Sequence, residues 1–324
     1  MTKSILTKKI LYWYDNNKRS LPWRKKLSQV KREYYTLVSE FMLQQTQVIT
    51  VVPYFNNFIK DIPNISSLAK INEYKLLKYW EGLGYYSRVR NLKKTAQILE
   101  KDFKGRLPST IEELKLLPGI GEYTANAIMA IGFNKPFIPL DGNIERVIKR
   151  LLNLKLISEI SKENLISKKK ILGSSSRASD YAQALMELGA LICRPKTPLC
   201  SQCPLTKNCK SFKNNDFEII KERKKKIDKF YRLNVYKKNN KFLLIKNTKF
   251  NFLKNLKIFP MDEISKHNKV KKNLNFKISN MNIIIQYTKI KGSIPNSSWI
   301  DSTKLNSYTL PTFTRKIFRH LEKN

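Results

Sequence analysis

The spacing of apolar residues divides the chain into two regions. From about residue 4 to 210, apolar positions recur at helical spacing with proline and glycine between the periodic segments, which predicts an all-α region. The sequence STIEE at 109–113 is typical of a helix N-terminus, because its hydroxyls can accept the unpaired amides of a first helical turn. Further helices are predicted at about 123–131 and 181–192.

The last third of the chain shows short β-like runs separated by Asn/Lys turns. Residues 213–229, which precede it, are charged and have no clear apolar face, so we predict an interdomain linker, with a solvated helix as the alternative. The pattern therefore predicts a multidomain protein, with a helical domain at 1–212 and a smaller α+β domain at 230–324. The predicted strands are 230–236, 241–245 and 282–287, and the predicted closing helix is 311–322.

The composition indicates a class of binding partner only through its net charge. With 324 residues, 41% of them hydrophobic, each of two domains can bury a core. The 63 Lys and Arg against 25 Asp and Glu give a formal charge of +38, which favours a nucleic acid partner, although an AT-rich genome would also enrich lysine. No signal peptide and no apolar run of about 18 residues are recognisable, so we expect a cytoplasmic protein with no membrane association.

All four cysteines fall within seventeen residues, in the pattern C-x6-C-x2-C-x5-C. Such a compact group of thiols is typical of a bound inorganic cofactor, whereas disulfide frameworks spread their cysteines along a small secreted chain. The spacing favours an iron–sulfur cluster over structural zinc, and four unliganded cysteines are the third alternative. The chain has only two histidines, both distant in sequence, which argues against a His-containing metal site here. The four residues are Cys193, Cys200, Cys203 and Cys209.

The sequence LPGIG at 117–121 lies between two predicted helices. Gly119 and Gly121 stand where the backbone must turn and can approach another molecule closely. A hairpin of this kind exposes backbone amides that suit a DNA phosphate of any sequence, which would make residues 109–131 a helix-hairpin-helix. An ordinary helical turn is the alternative for this pentapeptide taken alone.

The hairpin, an LDGN segment and the cysteine pattern follow one another in the order found in the endonuclease III superfamily of DNA glycosylases. Within that superfamily the chain resembles the MutY-type adenine DNA glycosylases, from about Leu11 to Cys209. This resemblance implies a [4Fe–4S] cluster held by the 193–209 loop, with a structural and DNA-positioning role. The matching stretches are LPWR (21–24), SEFMLQQTQV (39–48), GLGYYSRVRNL (82–92), LPGIGEYTA (117–125), LDGNIERV (140–147) and QALMELGALIC (183–193).

The resemblance implies two catalytic carboxylates. Glu40 has apolar neighbours in sequence, and burial of its carboxyl group among them would raise its pKa. It is expected to protonate N7 of a flipped-out adenine. Asp141 is expected to stabilise positive charge on the deoxyribose, with Asn143 as its supporting partner. A Glu on the wet face of a helix and an ordinary Asp-Gly-Asn turn are the structural alternatives.

Tyr123 occupies the position at which the bifunctional endonuclease III relatives carry a lysine that forms a Schiff base. A tyrosine cannot form one, so we expect a glycosylase without true β-lyase activity. The resemblance also implies residues that line the adenine pocket, fill the gap left in the base stack, or contact the opposite base. These are Trp23, Arg24 and Gln183 for the pocket, Gln45 and Tyr85 for the gap, and Thr46 for the opposite base.

Residues 228–324 resemble, more faintly, the Nudix-like C-terminal domain with which this family recognises 8-oxoguanine. The similar stretches are FLKNLKIFP (252–260) and YTLPTFTRKIF (308–318), and no Nudix hydrolase box is present. Where the family usually has Phe-Ser-His, this chain has Ile278-Ser279-Asn280. Ser279 keeps a possible hydrogen bond to the lesion, but the loss of the aromatic ring and the imidazole predicts weaker discrimination between 8-oxoG:A and G:A.

The sequence thus predicts a monofunctional adenine glycosylase of base excision repair. Its expected partner is double-stranded DNA with an 8-oxoG:A or G:A mispair, and it is expected to be monomeric and associated with a bacterial nucleoid. One rival is an endonuclease III-like enzyme for oxidised pyrimidines, against which Tyr123, Glu40 and the extra domain argue. The other is a non-catalytic iron–sulfur DNA-binding protein, against which the joint presence of Glu40 and Asp141 argues.

Overall fold

The chain folds into two units with separate cores. The computed structural model describes residues 3–156, 158–218, 227–265, 273–278 and 280–323. One unit comprises Met1–Ile71 and Arg88–Glu222, and the other comprises Asn72–Ser87 and Arg223–Asn324. Helical spacing alone would assign the segment Asn72–Ser87 to the first domain. Its contacts place it in the same unit as the C-terminal residues.

The first unit is helical, as predicted. Helix α7 begins where the STIEE segment indicated: the Thr110 hydroxyl oxygen accepts the Glu113 amide at 3.3 Å. The Glu113 carboxylate accepts from the same hydroxyl at 2.6 Å, and so does not follow the usual capping-box arrangement. The helices are α1 Lys3–Asn17, α2 Gln29–Leu43, α3 Val48–Asp61, α4 Ile65–Lys70, α5 Glu73–Tyr79 (in the second unit), α6 Ser87–Asp102, α7 Ile111–Leu116, α8 Glu122–Ala127, α9 Gly142–Leu152, α10 Lys162–Lys168, α11 Ala178–Glu187 and α12 Lys210–Lys213.

Two of these helices continue into π-helical turns, Ile128–Gly132 after α8 and Leu188–Ile192 after α11. Such turns are often found next to functional sites. No helix within the described parts of the chain is long and apolar enough to cross a bilayer.

Helix α2 is enclosed along most of its length. All residues from Glu33 to Met42 except Tyr35 are buried, because the helix carries large apolar side chains on more than one face. Tyr34, Leu37 and Phe41 are among the most buried side chains of the described residues. Any polar residue on this stretch is consequently removed from water, and Glu40 is one of them.

A second core lies between α1, α9 and α11. Ile10 and Tyr14 of α1 pack in one cluster with Ile148 of α9 and Leu185 of α11. Cys193, Cys203 and Cys209 pack against the edge of the same cluster. This core therefore fixes the cysteine-containing loop relative to the N-terminus of α9.

The second unit contains a mixed sheet covered by one helix. Its described strands are ordered β3-β2-β1-β6-β5, with β4 paired to β1 and β7 to β2; β1 and β6 are parallel and the other pairs antiparallel. Alternate residues Tyr231, Leu233 and Val235 of β1 face the core. The elements are β1 Ile227–Lys238, β2 Lys241–Lys246, β3 Lys257–Ile258, β4 Met261–Ile264, β5 Asn273–Ile278, β6 Met281–Ile290, β7 Ser298–Asp301 and α13 Thr312–Glu322.

The strands and the closing helix predicted for this region are confirmed. Strand β1 begins at Ile227, inside the stretch predicted as a linker, because its first residues pair with β6. Asn239, in the left-handed conformation at φ 52°, lies in the turn between β1 and β2. Phe313, Ile317 and Phe318 anchor α13 in the core of the sheet.

Candidate active site

The helical unit contains a cavity of about 860 Å³ at which several predicted residues meet. The N-terminal segment, the end of α2, the start of α8, the N-terminus of α9 and helix α11 all contribute side chains. The lining includes nine residues predicted from sequence: Trp23, Arg24, Glu40, Gln45, Thr46, Tyr123, Asp141, Asn143 and Gln183.

Glu40 lies in the last turn of α2 and is only 4% exposed. The Tyr123 hydroxyl donates a hydrogen bond of 2.9 Å to its Oε2. Burial raises the pKa of Glu40 to about 7; the Tyr123 hydrogen bond and Arg24 oppose this shift, whereas the nearby Asp141 charge adds to it. A carboxyl group of this kind carries a proton close to neutral pH, as a general acid requires.

Asp141 lies in a different environment in the same cavity. It is the N-cap of α9, and its Oδ1 accepts the Ile144 amide at 2.7 Å while its Oδ2 accepts Asn143 Nδ2 at 2.8 Å. Burial raises the pKa of Asp141, and these hydrogen bonds and the charge of Arg146 oppose the rise. Both carboxylate oxygens thus have donors that favour the ionised form.

Arg146 connects this carboxylate to the cysteine loop. Its Nη2 donates to Asn143 Oδ1 and to the Gly189 carbonyl, both at 2.7 Å, and its Nε donates to the Cys193 carbonyl at 2.7 Å. Gly189 permits this close packing, because a Cβ at that position would lie 2.5 Å from Cβ of Asn143. The residue that supports Asp141 is therefore itself positioned by the backbone that leads into the first cysteine.

A third carboxylate of the cavity, Glu187, holds two arginines at its wall. It is 1% exposed and lies one helical turn after Gln183. Arg19 donates to it through Nη2 at 2.6 Å and through Nε, and Arg24 Nη2 donates at 2.9 Å. Although burial raises the pKa of Glu187, the two guanidinium groups outweigh it and the net pKa is lowered. Glu187 is thus a permanent anion that orients Arg24 in the cavity.

The loop after α2 carries two of the residues expected to contact DNA. Gln45 has a left-handed backbone at φ 58°, a conformation that costs energy for a residue other than glycine. The buried guanidinium of Arg88 donates to the carbonyls of Met42 and Gln44 and to the Thr46 hydroxyl. Arg88 thereby satisfies orphan carbonyls at the end of α2 and fixes the shape of this loop.

Of the two glycines in the predicted hairpin, only Gly119 is required by the local structure. Gly119 has φ 83°, and a Cβ there would lie 2.8 Å from the Phe41 ring, so glycine is required. Gly121, the N-cap of α8, has an extended backbone at φ −95° that any residue adopts. Nothing lies within 4 Å of a Cβ built at Gly121, so neither the backbone nor its neighbours require glycine at this position.

The four cysteines surround one small cavity of about 30 Å³ and none forms a disulfide. Arg150 Nη1 donates to Cys193 Sγ and the Leu205 amide donates to Cys203 Sγ, each at 3.4 Å. Within the described residues, no three His, Cys, Asp or Glu side chains are close enough to hold a single metal ion. The four thiols thus border one common cavity and are not consumed in disulfides, so all four remain able to bind an inorganic group.

Some predicted residues lie elsewhere. Gly119 and Gly121 are in the hairpin, the cysteines have their own cavity, and Tyr85 belongs to the second unit, where it is 42% exposed. Ser279 lies outside the described residues. The sequence alone does not single out Arg19, Arg146 or Glu187, although an acidic residue within the apolar run ALMELGALI is a signal that could have identified Glu187.

Comparisons with known proteins find several proteins of similar sequence. The family "HhH-GPD superfamily base excision DNA repair protein" matches residues 38–170. The chain is 36% identical over 350 residues to an adenine DNA glycosylase of Buchnera aphidicola subsp. Baizongia pistaciae, covering 100% of this chain and 98% of the relative. It is 40% identical over 209 residues to the adenine DNA glycosylase of Homo sapiens, covering 62% of this chain and 38% of the relative.

Two solved structures share the fold of the helical unit. A thermostable thymine-DNA glycosylase superposes with a TM-score of 0.57 at 24% identity, covering 65% of this chain and 97% of its own. An endonuclease III–DNA complex superposes with a TM-score of 0.54 at 20% identity, covering 66% and 98%.

Proposed function

Since the chain belongs to the adenine DNA glycosylase family and is a base excision DNA repair enzyme, we propose that it removes adenine mispaired with 8-oxoguanine or guanine, without strand cleavage. The observation that carries this proposal is the pair formed by Glu40, enclosed and protonated near neutral pH, and Asp141, hydrogen-bonded at both oxygens, in one cavity. Two carboxyl groups in contrasting environments are what cleavage of an N-glycosidic bond requires.

Glu40 is the general acid in this proposal. Its proton goes to N7 of the flipped-out adenine, which makes the base a better leaving group. The Tyr123 hydroxyl orients the carboxyl group through Oε2 and opposes part of the pKa shift caused by burial. Glu40 therefore combines a fixed position with a proton that is available near pH 7.

Asp141 acts on the sugar. As the bond to the base breaks, positive charge develops on the deoxyribose, and a preorganised carboxylate stabilises it without having to reorient. The Ile144 amide and Asn143 hold both oxygens of Asp141 in place, and Arg146 holds Asn143. The base leaves as neutral adenine with the proton that Glu40 supplied. A water molecule then adds to the sugar carbon, and the proton that it loses restores the protonated form of Glu40.

The absence of a nucleophilic amine supports monofunctional chemistry. Within the described residues, no lysine lines the cavity, and Tyr123 lies directly against Glu40. A Schiff base with the abasic sugar needs such an amine. Trp23, Arg24 and Gln183 are proposed to bound the adenine, Gln45 and Tyr85 to fill the gap in the stack, and Thr46 to contact the opposite base.

The 193–209 loop is proposed to hold a [4Fe–4S] cluster through Cys193, Cys200, Cys203 and Cys209. The cluster would supply structural cross-linking of the loop and no electron for the reaction. Cys209→Ser should lower iron content and visible absorbance and weaken DNA binding. Full iron content in that variant would exclude Cys209 as a ligand.

The C-terminal residues 230–324, together with the start of β1 at Ile227 that the linker prediction had included, are proposed to form a Nudix-like recognition domain. Ile278-Ser279-Asn280 is proposed to contact the base opposite adenine with less selectivity than the family's usual Phe-Ser-His. Asn280→His tests this proposal: the preference for 8-oxoG:A over G:A in single-turnover assays should rise, and an unchanged preference would contradict it.

The test of the whole proposal uses duplexes that contain 8-oxoG:A, G:A or thymine glycol:A, incubated with the wild type and with Glu40→Gln. We expect adenine release from the first two by the wild type only, with strands intact until alkali treatment, and no trapping by borohydride at high yield. Release of thymine glycol would favour an oxidised-pyrimidine enzyme instead. Unchanged release by Glu40→Gln would remove Glu40 from the mechanism.

A further inference from the structure

The segment Gly82–Tyr85 has an unusually strained backbone. Gly82, Gly84 and Tyr85 have φ values of 104°, 71° and 47°. Glycine adopts such values freely, but a tyrosine in the left-handed region is uncommon and persists only where the surroundings hold it. We refer to residues 82–85 as the Tyr85 loop.

The residue before this loop, Glu81, is bound by residues from the end of the chain. Arg315 of α13 donates to Glu81 Oε1 through Nε at 2.6 Å and forms an ion pair with it through Nη2, and the Leu310 amide approaches the same oxygen at 3.4 Å. All of these residues belong to the second unit.

This ion pair is better shielded than others in the same unit. The side chains of Glu81 and Arg315 are 20% and 19% exposed, whereas Lys249 and Asp262 are 61% and 57% exposed. Attraction between charges grows as water is excluded, so the Glu81–Arg315 pair is the stronger of the two.

Both partners of the pair are held independently. Arg315 Nη2 also donates to the Tyr308 carbonyl at 2.8 Å, and α13 is anchored in the core of the sheet by Phe313 and Ile317. At the other end of the Tyr85 loop, the fully buried Trp80 donates through Nε1 to the Gly84 carbonyl at 3.2 Å. The loop is thus braced by a tryptophan close in sequence and by an arginine more than 200 residues away.

We propose that Glu81 is a positioning residue through which α13 holds the Tyr85 loop in its strained conformation and thereby promotes extrusion of the adenine. This inference rests on the proposed function, in which Tyr85 fills the gap left by the extruded base. It gives the C-terminal unit a second contribution to the reaction, one that does not depend on which base lies opposite the adenine.

The experiment compares Arg315→Met and Glu81→Gln with Lys249→Met, which breaks the exposed ion pair of the same unit. Amide hydrogen exchange of residues 82–87 in the DNA-free protein reports the conformation of the loop. Fluorescence of 2-aminopurine placed next to the target adenine reports extrusion, and single-turnover assays report adenine release. Loss of a charged hydrogen bond should accelerate exchange and slow extrusion by about tenfold in Arg315→Met, less in Glu81→Gln, and not in Lys249→Met.

Combining Arg315→Met with Tyr85→Ala distinguishes positioning of the Tyr85 loop from general destabilisation of the fold. Arg315→Met should slow extrusion in the wild-type background and add little in a Tyr85→Ala background, and Glu81→Gln should add little to Arg315→Met. The inference would be overturned if Arg315→Met and Lys249→Met had equal exchange and extrusion rates. It would also be overturned if Arg315→Met slowed extrusion as much in the Tyr85→Ala background as in the wild type. A wild type that releases no adenine would instead contradict the proposed function, and the exchange measurement would still test the brace.

Discussion

Burial of Glu40 should make the protein less stable as the pH rises, and Glu40→Gln should remove that dependence. The pKa of Glu40 is raised from 4.5 to about 7, chiefly by desolvation. Because the folded state holds the proton of Glu40 more tightly than the unfolded state does, Glu40 makes its full contribution to stability below pH 4.5. It is lost as the pH rises, since between these two pKa values the unfolded chain binds fewer protons than the folded one.

The size of the effect follows from the shift. A difference of about 2.5 pKa units corresponds to roughly 3 kcal/mol between the limits of low and high pH. Most of this lies between pH 5 and pH 8, where the wild type should lose about 2.5 kcal/mol relative to Glu40→Gln. A neutral amide of similar shape avoids this loss, so the variant should be inactive and yet more stable than the wild type at pH 8.

Urea unfolding of both proteins at pH 5, 6, 7 and 8 measures the difference directly, and the adenine excision rate of the wild type over the same range provides the functional counterpart. The rate should fall above about pH 7 as Glu40 loses its proton. Stability curves that stay parallel from pH 5 to pH 8 would show that Glu40 is not held protonated by burial, and the acid step would lose its physical basis.

Substitutions at four residues test the surroundings of the cavity further. Tyr123→Phe removes a hydrogen bond that stabilises ionised Glu40, so the alkaline limb of its pH–rate profile should move to higher pH. Asp141→Asn should abolish excision but keep the α9 cap, whereas Asp141→Ala should also cost about 1 kcal/mol in urea unfolding. Arg146→Met should lower the free energy of unfolding by about 2–3 kcal/mol and slow excision, measured under single turnover. Glu187→Gln should lower the free energy of urea unfolding by about 3 kcal/mol, because it leaves the largely buried Arg24 without its anion, whereas the more exposed Arg19 can be hydrated.

The elements of this fold were accessible from sequence because their signals are local. Helical spacing, the hydroxyls before α7 and the alternating pattern of β1 each involve neighbouring residues. The enclosure of Glu40 was only partly predictable: its apolar neighbours in sequence favour burial, but the pattern alone left a position on the wet face of the helix open. These features depend on periodicity and capping, which a single sequence contains.

The support of the site was not accessible, because it depends on contacts between distant residues. Glu187 meets Arg19 across 168 positions of the chain, and Arg146 reaches a carbonyl 47 positions away. Arg146 is not unusual on its helix, and although Glu187 stands out within an apolar run, the sequence does not show which arginines it would meet. The left-handed backbone of Tyr85 is likewise invisible in the sequence, since the contacts that hold it come from tertiary structure.

The N-terminus of α9 is where the fold and the chemistry depend on the same atoms. Asp141 caps the helix through Oδ1 and accepts a hydrogen bond from Asn143 at Oδ2, so the interactions that stabilise the helix also orient the carboxylate and oppose the rise in its pKa caused by burial. Arg146 and Gly189 then fix Asn143 against the backbone leading to Cys193. A disturbance of the cysteine loop should therefore reach Asp141 through Arg146 and Asn143. In the proposed mechanism it would slow excision, although that mechanism takes no electron from the loop.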